Sequence, residues 1–110
     1  WDLLLHLVCT AALAALTYIA LARMDITADL RRTRAPARRP IVLATAIALA
    51  ISAVWEMIEW LGWTYLSDDI FVTYTDTIGD MLFGGFGGLA AGILLAFVAL
   101  EREDSHPLPR

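Results

Sequence analysis

The stretch "IVLATAIALAISAVWEMIEWLGW", Ile41 to Trp63, decides the fold. From Ile41 to Trp55 its only polar side chains are the hydroxyls of Thr45 and Ser52. The apolar run from Ile41 to Trp60 reaches the roughly 20 residues that a helix needs to cross a hydrocarbon core about 30 Å thick. Glu56 and Glu59 then interrupt it. An unpaired carboxylate inside hydrocarbon costs at least about 2.5 kcal/mol, so something must offset these two charges.

Two more apolar runs flank this one, Leu3 to Ala22 and roughly Ile78 to Leu100. With 59% hydrophobic residues over 110 positions, the chain exceeds the apolar share of a soluble domain. Backbone polar groups cannot stay unpaired in lipid, and no run shows the two-residue alternation of a barrel strand, so each run is read as a helix. The expected fold is all-α, an integral membrane protein of three transmembrane helices packed as a small bundle. The helices are expected at about 3–22, 41–64 and 77–100, with a basic loop 23–40, an outer loop 65–76 and a mobile polar tail 101–110, forming one domain over 1–110. The first run lacks the basic leader and the short cleavage motif of a secretory signal, and carries His6 within it. The chain opens on Trp1 rather than Met, which leaves room for helices before it. Cys9 is the single cysteine, so disulfides and cysteine-rich metal motifs are excluded and packing is its expected role.

There is no lysine, and six of the eight arginines lie in or beside the connection between the first two helices: Arg23, Arg31, Arg32, Arg34, Arg38 and Arg39. Positive charge near spans stays on the cytoplasmic side, which puts this loop inside and the start of the chain outside. Asp68 and Asp69, with no base beside them, suit the opposite face. Trp1, Trp60, Trp63, Tyr65 and Tyr74 form an aromatic belt at that outer interface. Arg31, Arg32, Arg34, Arg38 and Arg39 also form a patch for anionic lipid or a partner, although topology alone accounts for them. The expected partners are the lipid bilayer and other membrane subunits or copies of the chain, and no nucleic acid.

On this topology His6, Glu56, Glu59, Asp76 and Asp80 all fall in the outer leaflet. Glu56 and Glu59 are about 60° apart around their helix, and Asp76 and Asp80 about 40°, so each pair shares a face. Thr77 with Asp80 three residues later has the form of a capping box, and acids at a helix start are favoured by its dipole. That reading is a strong rival for the two aspartates. Glu56 and Glu59 sit near a helix C-terminus, where the dipole disfavours anions. Their offset must be a proton, a cation, a charged His6 or a base from another chain. Imidazole with carboxylates suits zinc, manganese or iron, and oxygen ligands alone suit calcium or magnesium, so the sequence does not choose the metal. Gly84, Gly88 and Gly92 form a small-residue lane for close helix packing.

The ordered motifs "WDLLLH", "WEMIEW" and "DTIGDMLFGGFGG" resemble the C-terminal half of the YjdF-like bacterial inner-membrane proteins and, more loosely, the VanZ-like group. The resemblance covers about residues 1–100. It implies a polytopic bundle in which Asp2, His6, Glu56, Glu59, Asp76 and Asp80 are motif positions, and it implies no reaction. Members are usually longer, and this chain has Cys9 and Thr10 after the first motif where a small residue is expected.

Two functions from different classes follow. In the first, the acidic cluster binds a divalent cation, structurally or for lipid head-group chemistry, in a bacterial inner-membrane protein. In the second, the chain is an accessory subunit of a larger membrane complex or homo-oligomer, packing through its glycine-rich third helix. A proton or ion path is a weaker third, since no ionisable residue lies deep in the inner half of the spans.

Overall fold

The computed structural model describes residues 1–27, 36 and 38–105, the last four as backbone. It consists of three helices, α1 (Asp2–Arg23), α2 (Arg38–Tyr65) and α3 (Tyr74–Ser105). All three are long and apolar enough to cross a membrane. At 1.5 Å per residue they measure about 33, 42 and 48 Å, so α2 and α3 outreach a 30 Å hydrocarbon core. Both begin about three residues earlier than the hydropathy pattern marks, and α3 runs on through "EREDS" to Ser105. Hydropathy marks where apolar side chains stop, whereas a helix continues as long as its backbone bonds can close. Arg31, Arg32 and Arg34 lie outside the described residues, so the arginine patch is represented by Arg38 and Arg39 at the start of α2.

The helix ends follow local chemistry. At the end of α1 the Ile26 N–H reaches the Leu21 carbonyl (3.0 Å) and the Asp25 N–H the Ala22 carbonyl (3.3 Å). This is a Schellman closure with Asp25 in the left-handed position, at φ 56°. Pro40 sits in the first turn of α2, where a missing N–H breaks no helical bond. At the start of α3 the Thr73 hydroxyl accepts the Asp76 N–H at 3.3 Å. Thr73 is therefore the N-cap and Asp76 stands at the third helical position. The expected Thr77–Asp80 capping box is thus one turn too late, because the helix has already begun at Tyr74 and the Thr77 N–H bonds the Thr73 carbonyl at 3.0 Å.

Packing uses small residues at four-residue spacing. The buried stripe of α1 is His6, Thr10, Ala14, Tyr18 and Ala22, and that of α2 is Pro40, Ala44, Ala48, Ser52 and Glu56, followed by Gly62. α3 lies against both other helices, which touch each other less. Its glycines set the approach. A Cβ on Gly88 would meet the Ala48 side chain and come within 2.7 Å of the Ala44 carbonyl oxygen; one on Gly92 would lie 2.6 Å from Ile41 Cα. A Cβ on Gly84 would overlap the Ser52 side chain of α2, and one on Gly87 the Leu7 carbonyl oxygen of α1. The lane of Gly84, Gly88 and Gly92 is therefore occupied by α2 of the same chain. Large apolar residues face outward, among them Leu16, Trp55, Leu94 and Phe97. Such a surface suits lipid, where association rests on close packing rather than on exclusion of water. Cys9 is exposed, so it does not pack between the helices.

Candidate metal centre

The helices run up, down and up, which brings the start of α1, the end of α2 and the start of α3 to one end of the bundle. His6, Glu56 and Asp80 meet there in the interior, 6%, 7% and 1% exposed. His6 Nε2 lies 3.7 Å from Glu56 Oε1 and 3.9 Å from Asp80 Oδ2. Both separations exceed hydrogen-bond length. Thr10 holds the base of the cluster, its hydroxyl directed at the His6 carbonyl and, at 3.1 Å, at the Gly84 carbonyl of α3.

The polar atoms in this knot are under-supplied with partners. His6 Nδ1, Ser52 Oγ, Glu56 Oε1 and both oxygens of Asp80 are buried without a hydrogen bond among the described residues. Glu56 is not bare, since Thr77 provides it with a side-chain hydrogen bond. Glu59 is half-buried, and its Oε1 accepts the Trp55 indole N–H at 2.9 Å. The described bases give no help. Arg23 ends α1 and Arg38 and Arg39 begin α2, all at the opposite end of the bundle and about 26 Å away by the rise from His6 to Arg23.

Two groups of ligand atoms lie within 4.8 Å of one another: His6 with Glu56 and Glu59, and Asp2 with Asp76 and Asp80. All five residues singled out by spacing fall in these groups. The sixth, Asp2, stands out from the sequence only through the resemblance in "WDLLLH", where it precedes His6 by one helical turn. Asp2 is exposed and Asp76 half-buried, each in the first turn of its helix. Trp1, Trp60, Trp63, Tyr65 and Tyr74 are exposed around the same end, a composition typical of membrane–water interfaces.

Three apolar helices around small-residue contacts, with an ionisable knot buried at one end, define a polytopic membrane protein. Residues 1–101 match the family described as "Predicted membrane protein (DUF2238)", and the chain belongs to that family. The YjdF-like resemblance of its three motifs is consistent with this membership. No curated protein and no solved structure matches the chain.

Proposed function

We propose that the chain is a bacterial inner-membrane protein that holds a divalent cation between His6, Glu56 and Glu59, beside Asp80, at the level of the outer lipid head groups. The observation that carries this reading is Asp80, almost fully buried with neither oxygen hydrogen-bonded among the described residues, facing His6 together with Glu56. Charge buried without a partner is removed by protonation or matched by a counter-charge. His6 can supply at most one positive charge to two buried carboxylates. Imidazole and carboxylate together form a donor set for zinc, manganese or iron.

Such a cation supplies Lewis acidity and lowers the pKa of bound water. Around it, Thr10 fixes the helix turn that carries His6, and Trp55 holds Glu59 by its indole N–H. Glu59, half-buried, is the one of these three ligands that solvent would reach. The arginine end goes to the cytoplasm by the positive-inside rule, which puts the cluster on the outer face. The accessory-subunit reading has less support, because the glycine lane it would offer a partner is already filled by α2.

The test is the metal content of the purified full chain. Wild-type protein and Asp68→Asn, a change in the exposed loop, should both retain cation, and Glu56→Gln should lose it. Chelator should lower the melting temperature of the wild type and leave that of Glu56→Gln unmoved. Metal-free wild-type protein that is fully stable in chelator overturns the reading in favour of protonated acids.

A further inference from the structure

Resting on that cation reading, we propose that the cluster is a two-cation centre. Asp2, Asp76 and Asp80 form a second, all-oxygen position next to the His6–Glu56–Glu59 one, and Asp80 is the carboxylate between them.

In each group the ligand atoms fall within 4.8 Å of one another. A cation bound at 2.0–2.6 Å from each ligand spans up to about 4–5 Å between ligands, so each group matches the reach of a single ion. Asp80 belongs to the aspartate group, yet its Oδ2 also lies 3.9 Å from His6 Nε2 of the other. A carboxylate has two oxygens to share between neighbouring ions. Both of Asp80's are buried without a hydrogen bond among the described residues.

Charge points the same way. The two groups contain five carboxylates and one imidazole. With all five ionised, one divalent cation leaves three negative charges unbalanced and two leave one. The described arginines sit at the other end of the bundle and offer no alternative.

Helix capping accounts for part of the cluster. Asp2 and Asp76 stand in first turns, where the helix dipole favours an anion, and Thr73 caps α3. Asp80 has no such explanation: it lies a turn deeper, 1% exposed, and the cap that would have used it is made by Thr73. The two positions differ in chemistry. An all-carboxylate set prefers hard cations such as magnesium, calcium or manganese, and the histidine-bearing set takes zinc, manganese or iron. Manganese suits both and is the probe of choice.

Full-length protein in detergent, stripped of metal, is dialysed to saturation against Mn²⁺. Wild type should bind two Mn²⁺ per chain, with an electron paramagnetic resonance spectrum broadened by coupling between neighbouring ions. The double variant Asp2→Asn/Asp76→Asn changes only exposed or half-buried positions. It should bind one, with the resolved sextet of an isolated ion. One Mn²⁺ per chain in the wild type, or an unchanged count and spectrum in the double variant, overturns the two-cation centre and leaves the single site standing. No Mn²⁺ bound by the wild type overturns both.

Discussion

Glu56 and Glu59 share a helix face and look equivalent in "WEMIEW", yet their surroundings separate them. Glu56 is 7% exposed, its Oε1 without a hydrogen bond among the described residues and 3.7 Å from His6 Nε2, whereas Glu59 is half-buried and bonded to Trp55. A buried group left without its counter-charge is far costlier than one that water can reach. Glu56→Leu should therefore shift the melting temperature and the chelator response more than Glu59→Leu does, as differential scanning fluorimetry in detergent would read. Equal effects would mean that the two carboxylates share one environment. Periodicity places both glutamates on a common face, but the depth of each depends on what α1 and α3 bring against it. The same limit applies to Asp80. Its spacing from Thr77 suggests a cap, and only the actual start of α3 removes that explanation.

At the scale of elements, α3 is a helix whose glycines are used unequally. Gly88 faces α2 so closely that a Cβ would lie 2.7 Å from the Ala44 carbonyl oxygen and 3.0 Å from Thr45 Cα. Backbone atoms cannot move aside as a side-chain tip can. Gly88→Ala should destabilise the bundle by roughly 1 to 3 kcal/mol, the usual cost of overpacking. At Gly79 a Cβ would meet, among the described residues, only Leu3 Cδ2, at an ordinary 3.6 Å. Gly79→Ala should be neutral or stabilising by up to about 1 kcal/mol, the helix-propensity difference between the two residues. Thermal or steric-trap unfolding of the two variants checks the contrast, and similar losses in both would contradict it. Three glycines at four-residue spacing mark a contact lane in the sequence. Whether the lane meets another helix of the same chain or a partner is beyond what spacing can say, because either backbone would fill it equally well.

For the whole molecule, the asymmetry is one of charge. The ionisable cluster crowns one end of the bundle and Arg23, Arg38 and Arg39 the other. Neutralising Arg31, Arg32, Arg34, Arg38 and Arg39 together should disturb the orientation read by reporter fusions at the α1–α2 connection. In the unmodified protein that connection should report as cytoplasmic. A periplasmic signal there would place the acidic end inside and remove its contact with outer-leaflet head groups. The number of spans, their all-helical nature and the gathering of polar residues at one end were determined by the sequence alone. Those features rest on hydropathy and on the need to pair every backbone polar group in lipid, both of which are properties of a single segment. Tertiary packing alone set that Asp80 is the most deeply enclosed of the described acids while Glu59 stays half-buried, that Asp2 joins Asp76 and Asp80, and that α2 fills the glycine lane. Burial and partnership are properties of pairs of segments, set by how closely three backbones approach one another.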